Sequence, residues 1–226
     1  MLFDIIRGDI RFSEIIIGFI SALIVIFITM PIHECAHAFV AYKLGDPTAK
    51  SMGRLTLNPL AHINWLGAAA IFLIGIGWAE PVPVNMYYFK RPKRDMALSA
   101  LAGPVSNLLL AFVALLFYNL FFTLAEIFIS QVLIFISFVF FYVAIINISL
   151  AVFNLIPIAP LDGSKILAAI LPDRAYAKFM QLEKHSYIIL LVVMVSGALD
   201  RPLSLLVDYV IAGLNFVARL PFNLIF

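Results

Sequence analysis

The sequence predicts an all-α polytopic membrane protein of about 5–6 membrane segments, with a short re-entrant or β-hairpin element after the first helix. Three observations predict it. Hydrophobic residues make up 64% of the 226 positions and charged residues only 12%, too little charge to cover the surface of a soluble domain of this length. Several apolar runs reach the roughly 20 residues that a helix needs to cross a bilayer. One run falls short of that length and is broken by glycine and proline, which suits backbone that enters the membrane and turns back.

Taken in order, Met1 to Phe12 carries two Arg and two Asp and has no basic signal-peptide region. No small-residue cleavage site follows the first apolar run, Ile15–Ile32, which is therefore expected to stay as a helix. Trp65–Ala79 is the short run. It contains Gly67, Gly75 and Gly77 and ends in Pro81-Val82-Pro83, hence the re-entrant or hairpin reading. Met96–Leu124 and Phe128–Pro157 are long enough to span. Tyr187–Val217 is interrupted by Asp200-Arg201-Pro202 and is expected to form two shorter helices, the second lying across or along the membrane between Asp208 and Arg219. The whole chain, 1–226, reads as one membrane-embedded unit, with a core over about 12–171 and C-terminal helical segments over about 186–226.

Basic residues gather in three connecting regions: Lys43, Lys50 and Arg54; Lys90, Arg91, Lys93 and Arg94; and Lys165, Arg174, Lys178 and Lys184. The loop at Glu126 has none. The positive-inside rule places the three basic regions in the cytoplasm and both the N-terminus and the Glu126 loop outside. The net charge is only +2 and its basic part is spent on topology, so no nucleic-acid partner is expected. The single cysteine, Cys35, excludes an internal disulfide. The lipid bilayer is the expected surrounding, and oligomeric state is open.

Against this apolar background one pentad stands out: His33-Glu34-Cys35-Ala36-His37. No charged side chain occurs from Ile15 to Ile32, and ionisable groups at membrane depth are costly and functional by default. On a helix, residues i and i+4 share a face, so His33 and His37 can hold one metal ion with Glu34 beside it. This is the H-E-x-x-H arrangement of zinc hydrolases. A catalytic zinc takes three protein ligands, which leaves one to find. The topology returns Asn154-Leu155-Ile156-Pro157-Ile158-Ala159-Pro160-Leu161-Asp162-Gly163 to the same depth, and Asp162 is its only acidic residue. Pro157 and Pro160 stop the helix there, so the carboxylate is presented from a turn, with a short helix expected over Ser164 to Leu171. Pro31 is expected to kink the first helix two residues before the first ligand.

These motifs resemble the site-2 protease family of intramembrane zinc metalloproteases, in a minimal form without a PDZ domain. The resemblance rests on HECAH at 33–37 and NLIPIAPLDG at 154–163. It extends to Leu44-Gly45-Asp46-Pro47-Thr48-Ala49, to Gly53-Arg54-Leu55-Thr56-Leu57-Asn58-Pro59, to Gly77-Trp78-Ala79 with Pro81-Val82-Pro83-Val84-Asn85, and to Ala102-Gly103-Pro104-Val105-Ser106-Asn107. It implies one Zn2+ per chain on His33, His37 and Asp162, with Glu34 as catalytic acid and base. It also implies hydrolysis of a peptide bond in or near the transmembrane segment of membrane-protein substrates, as in regulated intramembrane proteolysis. The implied location is a prokaryotic cell membrane, with the active site near the cytoplasmic side. Two positions depart from the resembled pattern. Members often read His-Ile-Asp where this chain has His62-Ile63-Asn64, and often carry a basic residue where this chain has Glu80.

Zinc makes a water nucleophilic near neutral pH, and Glu34 would take its proton and hand it to the leaving amine. The resemblance places the Asn154 amide near the metal, where it would steady the oxyanion; His62 is a weaker candidate for that task. A substrate helix must unwind before attack, and residues around 65–85 could receive the unwound stretch by strand addition. Cys35 faces away from the histidines and reads as packing. Ser99-x-x-x-Gly103, with Pro104, Ser106 and Asn107, reads as a small-residue surface for close helix approach, with Asn107 hydrogen-bonding near the site. The phenylalanines between 117 and 153 read as lipid-facing or core material. The alternative function is a membrane metal-binding or metal-transport protein. A transporter would spread its ligands across the bilayer depth, whereas these candidates gather at one depth and include a glutamate that transport does not need.

Overall fold

The structure is a computed structural model describing residues 12–67, 69, 80–183 and 185–225. Every regular element among them is helical. Helix α1, Phe12–Leu44, is followed by a single turn α2, Thr48–Ser51. Next come α3 (Pro92–Phe128), α4 (Gln131–Asn154), α5 (Asp162–Ile170), α6 (Asp173–Glu183), α7 (Ser186–Val195) and α8 (Asp200–Ile225). Four of them, α1, α3, α4 and α8, are long and apolar enough to cross a membrane. The fifth apolar run does divide before Asp200, but into unequal parts: α7 has 10 residues and α8 has 26. The re-entrant or hairpin element expected over 65–79 lies outside the described residues, apart from 65–67 and 69.

Helix ends follow local chemistry. Gly45, with φ 113°, closes α1 in the left-handed region, which glycine enters without steric cost. The Asp95 carboxylate accepts the Arg91 N–H at 3.0 Å and secures the start of α3. Ser130 caps α4 by accepting from the Leu133 N–H. Within α1, Val25–Thr29 forms a π-helical turn immediately before Pro31. Proline cannot donate to the preceding turn, and a widened turn is one way a helix absorbs that loss.

The core lies where α3, α4 and α8 meet, with Ala111, Ala114, Leu115, Val143, Ala144, Ile148 and Ala218 at its centre. Alanines dominate because lipid tails are as apolar as the core. Helices in a bilayer associate through close packing, and small side chains permit it. Polar pins add register. Ser21 Oγ donates to the Val139 carbonyl at 3.2 Å, Asn147 Nδ2 to Thr29 Oγ1 at 3.2 Å, and Asn119 Nδ2 to Asn215 Oδ1 at 2.8 Å. The Phe117, Phe121 and Phe140 rings stack across α3 and α4, with Phe140 packed against the core and Phe117 exposed on the bundle surface. The bundle thus holds α1 against both α3 and α4, and this sets the site.

Candidate metal centre

His33 and His37 lie one turn apart on α1, and their rings meet edge to face with centroids 4.6 Å apart. Asp162 opens α5, so its carboxylate sits at the positive end of a helix. Gly163 lets α5 close onto the end of α4: a Cβ there would stand 2.5 Å from the Ile156 carbonyl oxygen and overlap the Leu155 carbonyl. Asp162 is thereby delivered to the imidazoles from 125 or more residues along the chain.

The three side chains converge on one point. His33 Nε2 and His37 Nε2 are 3.0 Å apart, and Asp162 Oδ2 lies 3.5 Å from the first and 3.1 Å from the second. Ligands held about 2.0–2.1 Å from a tetrahedral zinc ion stand about 3.3 Å from one another, so the sides of this triangle match one face of such a tetrahedron. The protonation pattern agrees. His37 Nδ1 lies 2.7 Å from the Ser99 carbonyl oxygen, which can only accept, so the proton is on Nδ1 and the Nε2 lone pair faces inward. Two imidazole nitrogens and a carboxylate oxygen gathered in a buried site suit a cation at their centre. The donor set fits zinc, and these three are a group among the described residues that could hold a metal ion.

Glu34 is buried beside the pair, its Oε2 accepting the Val82 N–H at 3.0 Å. His33, Glu34, His37, Asp162 and Asn154 all line one cavity of about 420 Å3. One N–H of the Asn154 amide is spent on the Leu150 carbonyl at 3.0 Å, which leaves the other. His62 is not among the cavity-lining residues. It is buried in the connection after α2, with Nε2 against the Thr56 carbonyl oxygen at 2.8 Å. Cys35 is a free thiol, half-buried. Thr29 and Asn107 also line the cavity, and the buried Asn107 Oδ1 has no hydrogen-bond partner.

Sequence reasoning missed three contributors. Ser99 supplies its carbonyl to His37 Nδ1 and donates its hydroxyl to the His37 carbonyl at 3.1 Å. Gly103 leaves the space that both rings occupy; a Cβ there would overlap His37 Nε2 and come within 2.5 Å of His33 Cε1. The Ser99-x-x-x-Gly103 spacing signalled close approach, but not that imidazoles are what approach. Lys165, read as a topology determinant, places Nζ 3.3 Å from Asp162 Oδ1, leaving Oδ2 to the imidazoles.

Comparison with known proteins agrees with this chemistry. A sequence model of peptidase family M50 matches residues 121–198. The chain is 40% identical over 174 residues to the "Putative zinc metalloprotease YwhC" of Bacillus subtilis, covering 77% of this chain and 80% of the relative. It is 28% identical over 178 residues to "Putative zinc metalloprotease Rip2" of Mycolicibacterium smegmatis, covering 75% of this chain and 64% of that relative. It is 27% identical over 179 residues to the Rip2 protein of Mycobacterium tuberculosis, covering 76% and 66%. No solved structure matches the chain.

Proposed function

The chain belongs to peptidase family M50, the site-2 protease family of zinc metalloproteases, and from that premise we propose that it is an intramembrane endopeptidase. It would bind one zinc per chain on His33, His37 and Asp162 and cut a peptide bond in or near the transmembrane segment of membrane-protein substrates. The observation that carries this reading is the His33–His37–Asp162 triangle, seated beside Glu34 between helices long enough to cross a bilayer. A soluble metalloprotease has no use for such surroundings.

When bound, zinc supplies Lewis acidity, activating a water and polarising the scissile carbonyl. The chain's own residues do the rest. The Ser99 carbonyl fixes the His37 tautomer, and Lys165 holds the outer oxygen of Asp162. Glu34 accepts the proton of the attacking water and returns it to the leaving amine. The free N–H of Asn154 steadies the negative charge that develops on the substrate carbonyl oxygen. Met30, Leu150, Phe153 and Leu161 supply apolar walls to the same cavity, which suits a stretch of membrane-spanning substrate and limits stray water. The basic connections support an orientation with the start of α1 outside and the metal site near the cytoplasmic face.

The test is Glu34→Gln in protein purified from membranes. Its cutting would be measured on single-pass reporters carrying an Asn-Gly or Pro helix break in the transmembrane stretch, in vesicles of phosphatidylethanolamine and phosphatidylglycerol. Zinc should stay bound at wild-type content while cleavage falls by about 100-fold or more. Undiminished cleavage by this variant would refute Glu34 as the base. Wild-type protein that binds zinc and cuts none of the reporters would count against the protease reading itself.

A further inference from the structure

The residues that lead into α3 do more than connect it to what precedes. Glu80 to Asn85 passes the site outside any regular element, with Pro81, Val82 and Val84 lining the cavity, and is tied at both ends. At the first end the Glu80 N–H donates to the His62 carbonyl at 2.8 Å, and the Glu80 carboxylate accepts from Asn64 Nδ2 at 3.2 Å and faces Arg54 at 3.7 Å. At the other end the Asn85 N–H donates at 2.7 Å to Asp46. The buried Asp46 carboxylate also accepts from the Thr48 backbone N–H at 2.9 Å. Asp46 follows α1 directly, so the strap is fastened to the helix that carries both histidines and Glu34.

Between these anchors the strap reads Pro81-Val82-Pro83. Proline has no N–H and holds the chain extended. Val82 is therefore the one backbone donor among residues 81–83, and it is spent on Glu34 Oε2 at 3.0 Å. A backbone amide bonded to a carboxylate is a strong, charge-assisted contact, and here it comes from a segment that cannot easily slide. Among the described residues, the Glu34 side chain makes no other hydrogen bond. Without this contact its carboxylate could take several rotamers at the edge of the cavity.

We infer that the Glu80–Asn85 strap is a positioning device, in which the Val82 N–H holds one oxygen of Glu34 so that the other faces the attacking water. This deepens the protease reading and rests on it. Val82 is a positioning residue: its amide touches the catalytic carboxylate and need not touch substrate. General-base catalysis depends on such placement, and a misplacement of about 1 Å can cost about 100-fold in rate.

The test separates the amide from the side chain. Val82→Ala keeps the N–H and trims the side chain. Val82→Pro removes the N–H within a run already extended by its neighbours. With the same vesicle reporters, V82P should turn over about 10- to 100-fold more slowly in kcat than V82A, with KM little different between the two. Zinc content should be unaltered in both. Benzohydroxamate, a zinc chelator whose N–OH Glu34 can accept, gives a readout free of substrate: it should bind about tenfold more weakly to V82P than to V82A. If V82P fails to retain zinc, an ester in place of the amide at residue 82, introduced as the 2-hydroxy analogue of valine, removes the same N–H without a ring. That analogue must show the same losses. Val82→Pro or the ester matching Val82→Ala in kcat and in hydroxamate affinity overturns the inference while leaving the protease reading intact. Cleavage that survives Glu34→Gln sinks the protease reading instead.

Discussion

Gly103→Ala adds one methyl group at the point where α3 meets the two imidazoles. The new carbon would lie 2.5 Å from His33 Cε1 and would overlap His37 Nε2. Carbon contacts are comfortable at about 3.5–4.0 Å, so the rings must retreat by about 1 Å. His37 has little room to retreat, because its Nδ1 is held 2.7 Å from the Ser99 carbonyl oxygen, one turn away on the same α3. Either an imidazole leaves the triangle or α1 and α3 move apart. A metal site tolerates displacements of only about 0.2 Å in its ligand distances. Overpacking of this kind costs about 1–3 kcal/mol, which converts to zinc binding weaker by about 5- to 150-fold.

The assay is chelator competition for zinc on detergent-purified protein, read with a fluorescent zinc indicator. Far-ultraviolet circular dichroism reports whether the helices persist. Gly213→Ala is the control, since a Cβ there meets nothing within 4 Å; it should bind zinc like wild type. Gly103→Ala should keep its helices and lose affinity. A Gly103→Ala protein that binds zinc as tightly as the control and cleaves as fast would show that the rings do not occupy the space beside α3, and the geometry argued above would be wrong.

Gly163→Ala should be more damaging than Gly103→Ala, because the new Cβ meets backbone of Leu155 and Ile156 rather than side chains that can turn; zinc content and thermal stability should fall together, and a stable, zinc-replete variant contradicts the account of how α5 presents Asp162. Treatment with 1,10-phenanthroline should abolish reporter cleavage, and added zinc should restore it without refolding, since the ligand triangle is assembled by helix packing; failure of zinc to restore activity while circular dichroism is unchanged would argue against this. In the double-mutant cycle of Asn119→Ala and Asn215→Ala, the coupling across the 2.8 Å contact between α3 and α8 should be about 0.6 kcal/mol, with about 1.7 as a ceiling, measured by unfolding in mixed micelles. A coupling of zero would mean that each amide finds another partner.

The convergence of His33, His37 and Asp162 was legible in the sequence because residue type and spacing encode it directly. Two histidines four apart with a glutamate between them specify a helix face, and Asp162 was the only acid in the second motif. What lies around the triangle was less legible, for identifiable reasons. The Ser99 carbonyl that orients His37 is backbone, and backbone carbonyls leave no mark on a sequence. Gly103 could be read as permitting close approach, but a gap does not say what fills it. Lys165 was counted with the topology-setting cations because its pairing with Asp162 depends on α5 starting at Asp162, two residues before the Ser164 start expected from the sequence. Pro31 signalled a disturbance in α1, yet the form it takes, a π turn over Val25–Thr29, accompanies the Asn147–Thr29 contact from another helix. The split of the last apolar run was plain from Asp200-Arg201-Pro202; the ten-residue length of α7 was not, because Gly197 turns the chain at φ 67° after a stretch that remains apolar.

The two positions that depart from the resembled family pattern turn out to be a single feature. Where an acid at 64 and a base at 80 are common among members, this chain has Asn64 and Glu80, and position by position this reads as two losses. In space, Asn64 Nδ2 donates to Glu80 Oε2 at 3.2 Å while Asn64 Oδ1 accepts the Gly67 N–H at 3.0 Å. The amide does two jobs at once: its oxygen serves Gly67, as a carboxylate would, and its nitrogen supplies the donor that an acidic residue 80 requires. A donor at residue 64 thus meets an acid at residue 80. Glu80 is half-exposed, so the pair is worth no more than about 1 kcal/mol, and stability cannot be its main consequence. Register can. Successive residues of an extended chain face opposite sides, so a slip of one residue at Glu80 would turn the Val82 N–H away from Glu34 and present the nitrogen of a proline, which has nothing to donate.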